Sequence, residues 1–385
     1  MKKKKKKKII GINCLDVNKK YSGGINTFLN GILTGLSDGR ISKNYIIYCS
    51  KDNEIFFKKY KPFFKIKTFD YKKNFYYSFY IICSLFNFEK LFLFFNYLFT
   101  NKIFNEIYDK TKILYTPTSI LTSYFFKGKN MVSPHDLQHI YFKKNFNYFR
   151  LKFRRMSYKL TIYNSDAIQA SSRMIKNNIL KHFKIKNNKV VIIPEGVDLK
   201  EFKPSKKYNN NVVFFPAYWW PHKNHDFIIN CFKKLILEKK IDCKLIMCGG
   251  ASIRNKNKIL SMNKETKGKI IHKGIISKKK LLKLYRDSNL VLSPATYESS
   301  SLPILEAIAS KNLVLASNTR PNKDYKKIFK ISLYKLNNEK SFIKEFKSVW
   351  KNKLSKNRNI WNQRKIKNYS WLSISKQYDS KLNQL

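Results

Sequence analysis

Acidic residues are scarce in this chain: 24 Asp and Glu stand against 79 Lys and Arg in 385 residues, a formal charge of +55. Such an imbalance invites a nucleic-acid reading, because Lys and Arg neutralise phosphates and release counterions. Here, however, the cations are mostly Lys and are spread along the whole chain. They accompany an excess of Asn, Ile, Phe and Tyr over Ala, Gly and Arg, which is a chain-wide compositional bias rather than a shaped patch. No specific nucleic-acid partner is expected. The charge instead favours an anionic membrane surface, at about 1 kcal/mol per Lys near the lipid and less when screened.

Cysteine is sparse too. Cys14, Cys49, Cys83, Cys231, Cys243 and Cys248 lack the paired spacing of a zinc site and read as buried thiols of a reducing compartment. Long hydrophobic runs are also missing. Ile9-Ile10-Gly11-Ile12, after Lys2 to Lys8, is cut short by Asn13 and Asp16, which excludes a signal-peptide core and leaves a first buried strand. The aromatic stretch from Phe75 to Phe99 is split by Glu89 and Lys90 into pieces shorter than the ~20 residues that span a bilayer. No transmembrane helix is expected, and the expected location is cytoplasmic, with a peripheral position on the inner face of the membrane as a variant. There is no internal repeat.

What the chain does hold is apolar material: 43% hydrophobic and 15% aromatic residues, too rich for a disordered chain. Its length exceeds what one core fills, so two domains of roughly 150–200 residues each are expected. Short apolar runs alternate with longer amphipathic segments, the pattern of an α/β fold with parallel sheets. The first series of strands is expected at Ile9–Leu15, Tyr45–Cys49, Ile113–Thr116, Met131–Ser133, Ala167–Ala170 and Val190–Ile193. A second begins at Val212–Phe215 and continues through Lys244–Cys248, Ile270–His272, Leu290–Leu292 and Leu313–Ala316. The break falls near Pro194-Glu195-Gly196-Val197-Asp198, ahead of a Lys/Asn-rich loop. These signals divide the chain into 1–195 (with 1–8 as an oligo-lysine tail), 196–360, and a helical tail 361–385 anchored by Trp361, Tyr369, Trp371, Ile374 and Tyr378.

The most informative segment runs from Tyr297 to Ala307, entered from the strand Leu290–Leu292. It places Glu298 in a loop at the carboxyl end of a strand and Glu306 eight residues later, in the first turns of a helix. A helix start carries unpaired N–H groups and a positive dipole end, which suit a diphosphate. Two carboxylates beside an anion make sense as acceptors for hydroxyls, one on a sugar and one on a ribose. The plain alternative is a solvated helix start whose acids complement the dipole. A second segment, Phe214 to His225, sets Lys223 just before a helix, where a point cation can neutralise a pyrophosphate leaving group. Its plain alternative is a lysine on a solvated face.

Together these strings resemble the family 4 glycosyltransferases of the GT-B fold. The spacing of Glu298 and Glu306, Leu302-Pro303 between them and the continuation Leu305-Glu306-Ala307 match that family's donor motif. Pro216-Ala217 with Trp220-Pro221-His222-Lys223-Asn224-His225 is similar to a mannosyltransferase-like subgroup. Further matches are Gly23-Gly24 after the first strand, Ser133-Pro134-His135-Asp136-Leu137-Gln138-His139, Ile193-Pro194-Glu195-Gly196-Val197-Asp198 and Ser370-Trp371.

The resemblance implies two Rossmann-like domains facing a deep cleft, with a C-terminal helix crossing back to the first. It also implies a retaining transfer of a sugar, with mannose as a candidate, from a nucleoside-diphosphate sugar. The acceptor would be a glycan or lipid-linked saccharide in cell-surface polysaccharide synthesis. Gly23 and Gly24 would let backbone approach the donor phosphate, and His135 would lie beside the transferred sugar. Lys223 would contact the diphosphate, Glu298 the sugar and Glu306 the ribose. Gly249-Gly250 and Gly274-Ile275 would frame the base, and Ser299, Ser300, Ser301 and Leu302 the sugar and phosphates. His135, Lys223 and Glu298 are thus the expected catalytic residues.

No metal and no cofactor is expected, because His139, His222 and His225 lack carboxylates at ligand spacing. Two departures stand out. Tyr218 replaces an Arg common in that family five residues before the phosphate Lys, with Arg173 or a nearby Lys as candidate substitutes. Ser299-Ser300-Ser301 replaces Gly-Phe-Gly, with hydroxyls that could serve the sugar. The rival functions are another GT-B enzyme, such as a phosphorylase or nucleotide-sugar epimerase, and a non-catalytic basic protein that binds nucleic acid or membrane.

Overall fold

The computed structural model describes residues 8–18, 24–204, 211–238, 241–352 and 360–385. Gly23, the lysines before Lys8, residues 205–210 of the Lys/Asn-rich loop and the side chain of Trp361 lie outside the described residues. The chain divides into two compact units, one of Met1–Glu195 with Trp371–Leu385 and one of Gly196–Ser370.

The first unit is built on β1 (Ile10–Asn13), β2 (Tyr45–Ser50), β3 (Lys65–Phe69), β4 (Ile113–Thr116), β5 (Lys129–Val132), β6 (Ala167–Ala170) and β7 (Val190–Ile192). They form one parallel sheet in the order β3-β2-β1-β4-β5-β6-β7. The second holds β8 (Val212–Pro216), β9 (Lys244–Cys248), β10 (Ile270–His272), β11 (Leu290–Ser293), β12 (Leu313–Ser317) and β13 (Ser332–Tyr334). Its parallel order is β10-β9-β8-β11-β12-β13. In each sheet the winding reverses beside the first strand, between β1 and β4 and between β8 and β11. Ligands of open α/β sheets bind at such reversals, outside the carboxyl ends of the strands.

Every expected strand is present because its signal is strong: strands covered on both faces by helices read as short unbroken apolar runs, and β1, β4, β6 and β11 are buried at every position. β3 and β13 were not expected from the sequence. Each is an outer strand that pairs on one side only and tolerates polar residues such as Lys65 and Ser332, so no apolar run marks it, whereas the outer strands β7 and β10 keep their runs Val190-Val191-Ile192 and Ile270-Ile271. The aromatic stretch forms two helices, Lys73–Leu85 and Glu89–Lys110, separated at Asn87 with φ 56°. Among the described residues no helix is long and apolar enough to cross a membrane.

The helical tail expected from 361 divides at Trp371. Asn362 accepts the Lys330 N–H at 2.7 Å and Ile366 is buried in the second unit's core, which ties that stretch to the second unit. Helix Trp371–Asn383 instead packs on helix Gly24–Asp38 of the first unit. Ser375 Oγ donates to the Ile32 carbonyl at 3.0 Å, and Tyr45 Oη donates to Asp379 at 2.8 Å.

Candidate functional site

At the reversal of the second sheet, the chain leaves β8 through Ala217-Tyr218-Trp219-Trp220 into one turn, Pro221–Lys223, and then into helix His225–Leu237. Asn224 joins turn and helix with left-handed backbone, φ 62°, which Asn tolerates better than most residues. Thr296, in the loop after β11, donates its N–H to the His222 carbonyl at 2.8 Å. That stitch brings together two residues far apart in sequence. Lys223 Nζ donates to Glu298 Oε1 at 2.6 Å, with side-chain exposures of only 20% and 11%. Removing one partner of a pair this sheltered leaves a charge stranded, at about 3–5 kcal/mol where burial is complete.

Glu306 lies in helix Leu302–Ala309, which follows the Glu298 loop. Its Oε2 accepts a hydrogen bond from Tyr285 Oη at 2.6 Å. Burial pushes its carboxyl pKa up, against the opposing influence of the Tyr285 hydrogen bond and the Lys278 charge. Held on one oxygen, the carboxylate keeps lone pairs for hydroxyl donors from a ligand. The serine loop differs from expectation. Ser300 Oγ is paired with Tyr325 Oη at 2.8 Å and Ser301 Oγ with Ser293 Oγ at 3.1 Å, and both residues are buried. Their hydroxyls therefore anchor the loop rather than point to a sugar, while Ser299 stays half-buried beside Glu298.

The glycine loops after β9 and β10 join the same edge of the sheet. Trp219 donates its N–H to the Gly250 carbonyl at 2.8 Å, and Gly249 donates to the Gly274 carbonyl at 2.8 Å. Gly249 has φ +134°, and a Cβ there would lie 2.3 Å from the Ala217 carbonyl oxygen, so only glycine fits. The ring of Tyr218 lies against Gly250. Ile275 is 69% exposed. Arg173 opens a helix of the first unit and is exposed.

His225, the first residue of its helix, is stacked between Phe215 and Trp219 at 4.4 and 4.6 Å, and burial pushes its pKa down to about 3. Among the described residues no group of three His, Cys, Asp or Glu stands close enough to hold a metal.

At the reversal of the first sheet, Asn53 gathers the loop after β1 by donating to the carbonyls of Cys14 and Val17, each at 2.9 Å. Gly24, at the helix start beyond this loop, has open space where a Cβ would be. His135 follows β5. Its Nε2 lies 2.8 Å from the Pro117 carbonyl, which can only accept, so the ring proton sits on Nε2 and Nδ1 is an acceptor. Burial lowers its pKa and keeps the ring neutral. Asp136 beside it forms an ion pair with Arg154 at 2.8 Å. Asn53 and Arg154 in the first unit, and Tyr285 and Tyr325 in the second, carry no motif signal, since each reaches its own unit's sheet reversal from an element distant in sequence.

The sequence matches the family described as glycosyl transferases group 1 over residues 197–368 and glycosyltransferase family 4 over 113–201. It is 24% identical over 188 residues to the O-antigen chain mannosyltransferase RfbU of Salmonella typhimurium, covering 49% of this chain and 51% of that protein. To an MMP alpha-(1->4)-mannosyltransferase of Mycolicibacterium hassiacum it is 24% identical over 151 residues, covering 37% and 34% respectively. The chain thus spans about half, or less, of the curated relatives it matches. Among solved structures, HepE of Anabaena in complex with UDP superposes with a TM-score of 0.71 at 13% identity, covering 98% of this chain and all of that one. A glycosyltransferase from Rickettsia africae gives 0.71 at 16% identity, covering 98% of each chain. These likenesses show the shared GT-B fold.

Proposed function

We propose for this chain, which belongs to the group 1 and family 4 glycosyltransferases, the retaining transfer of a sugar from a nucleoside diphosphate to an acceptor hydroxyl. The single observation that carries this reading is the sheltered Lys223–Glu298 pair at the β8/β11 reversal. It presets a cation beside the start of the Leu302 helix, where a diphosphate would find both a point charge and a dipole end. Glu306, oriented by Tyr285, then takes the ribose hydroxyls, and the loops at Gly249-Gly250 and Gly274-Ile275 lie against the base. His135 Nδ1 accepts from a hydroxyl of the transferred sugar. The two curated relatives named as mannosyltransferases make mannose the candidate sugar, while the UDP-bound HepE makes a nucleoside diphosphate the natural leaving group.

In the reaction the bond from anomeric carbon to phosphate oxygen breaks and its electron pair stays on the leaving diphosphate. The acceptor oxygen bonds to the same face of that carbon, and its proton passes to a phosphate oxygen. Charge therefore grows on the diphosphate in an oxocarbenium-like transition state, and Lys223 is the group that meets it. No metal is assigned a part.

Thermal unfolding with UDP, GDP, ADP and CDP tests the reading. One of them should raise the transition by mass action, roughly 2.7 kcal/mol at a hundredfold excess over Kd; no shift with any would overturn the assignment. Glu306→Gln should weaken that nucleotide by about tenfold, the value of a charge-assisted hydrogen bond, because the amide replaces one acceptor oxygen with a donor. Isothermal titration reads it, and unchanged affinity would remove Glu306 from the ribose.

The acceptor is proposed to be a glycan or lipid-linked saccharide, worked on at an anionic membrane surface. Helices Lys73–Leu85 and Glu89–Lys110 leave Phe75, Ile82, Leu91, Phe94 and Leu98 exposed, on a chain of charge +55. Vesicles of phosphatidylserine and phosphatidylcholine should sediment the protein at low salt. Phe94→Ser with Leu98→Ser should weaken that binding at least about tenfold. If such vesicles leave the protein in solution, the membrane component falls.

A further inference from the structure

The first unit holds a cavity of about 510 Å³ at its own sheet reversal. It is lined by Asp16 and Thr122 from the loops after β1 and β4, and by Tyr77, Tyr80 and Phe153 from the helices Lys73–Leu85 and Tyr148–Asn164. Aromatic rings together with hydrogen-bonding groups in one lining suit a sugar ring, whose apolar face stacks while its hydroxyls are bonded. Asp16, already accepting from Thr122, is acceptor-only when ionised and fits hydroxyl donors.

Two further lining residues are Arg150 and Arg154. They are unusual in this chain, which has 10 Arg among its 79 cations. Where composition elsewhere replaces Arg by Lys, three Arg fall within six positions of one helix, Tyr148–Asn164, as Arg150, Arg154 and Arg155. A point charge does not need this. What Arg adds is a planar fork of donors that grips a carboxylate or phosphate on two oxygens. Arg154 is braced by Asp136 and by Tyr158 Oη, at 2.8 and 2.9 Å. Arg150 forms no ion pair among the described residues, and its guanidinium lies 5.8 Å from the Phe146 ring centroid.

We propose that this cavity is the acceptor subsite and that it takes a saccharide bearing an anionic group, carboxylate or phosphate, gripped by Arg150. The inference rests on the glycosyltransferase reading for the word acceptor, and its binding test is independent of catalysis. Titrations of the full chain, followed by saturation-transfer NMR, compare glucuronate, glucose 6-phosphate, glucose and inorganic phosphate. Glucuronate or glucose 6-phosphate should bind at least about tenfold tighter than glucose, and the tighter of the two names the group. Arg150→Gln should abolish that preference and Arg150→Lys should restore only part of it. Lys152→Gln, an equal loss of charge on the same helix, should leave it intact.

Equal binding of glucose and its acidic counterparts would overturn the proposal. So would an equal loss in Lys152→Gln, which would mean unspecific attraction, and phosphate binding as tightly as glucose 6-phosphate, which would remove the sugar. Absence of any nucleotide shift in the same wild-type samples would sink the transferase reading and leave the cavity's preference standing.

Discussion

Lys223→Ala should lower the release of nucleoside diphosphate from the donor sugar by about 100- to 1000-fold in kcat, in line with the loss of one preorganised group from a developing oxyanion. The donor Kd should change much less, because the charge that Lys223 meets is largest in the transition state. Stability complicates the single mutant: Glu298, 11% exposed, would be left without its cation, a cost of up to about 3–5 kcal/mol. Lys223→Ala combined with Glu298→Gln removes that stranded charge. It should recover most of the lost unfolding temperature and none of the lost turnover. Glu298→Gln alone leaves Lys223 unneutralised, so the nucleoside diphosphate should bind at least as tightly as to wild type while transfer falls. Wild-type turnover in Lys223→Ala, measured beside its melting curve, would remove Lys223 from the leaving-group site.

The second large effect is expected within the first unit, where helix Trp371–Asn383 meets helix Gly24–Asp38. A Cβ on Gly31 would stand 2.0 Å from the Trp371 ring, and a Cβ on Gly35 would stand 2.3 Å from the Trp371 carbonyl oxygen. The first neighbour is a side chain, but the second is backbone and has no rotamer to escape to. Gly35→Ala gains about 1 kcal/mol of helix propensity yet forces the two helices apart, an overpacking cost of about 1–3 kcal/mol. Gly35→Leu should be worse.

Trp371→Ala opens a cavity beside Phe28, whose ring lies 5.9 Å away, and should cost about 3–5 kcal/mol. Against a total of about 5–15 kcal/mol, that lowers the melting temperature by roughly 10 °C, taking 2–4 °C per kcal/mol. Removing 371–385 would further strip Tyr378 from Tyr115, at 5.2 Å, and should leave the first unit unable to fold. Calorimetry of the full-length variants reads this. An unchanged melting temperature for Trp371→Ala would show that the tail is not part of the first unit's core.

The parallel strands, the division near Glu195 and the order of the motifs were all legible in the sequence, because burial on both faces writes itself as local apolar runs and loop residues sit at their ends. Lys223, Glu298 and Glu306 could be singled out one by one for the same reason. Which groups they would meet was not legible. The ion pair between Lys223 and Glu298 joins loops 75 residues apart, the hydroxyl that orients Glu306 comes from Tyr285 on another helix, and the serine hydroxyls turn inward to Tyr325 and Ser293. The outer strands β3 and β13 stayed hidden because polar residues such as Lys65, Lys67 and Ser332 break their apolar runs, whereas the other two outer strands, β7 and β10, keep theirs. By itself, then, the sequence determined the elements and the chemistry available at their ends, since propensity and burial act over a few residues. Only the tertiary structure decided the partners, because adjacency across a parallel sheet depends on the winding order of distant strands.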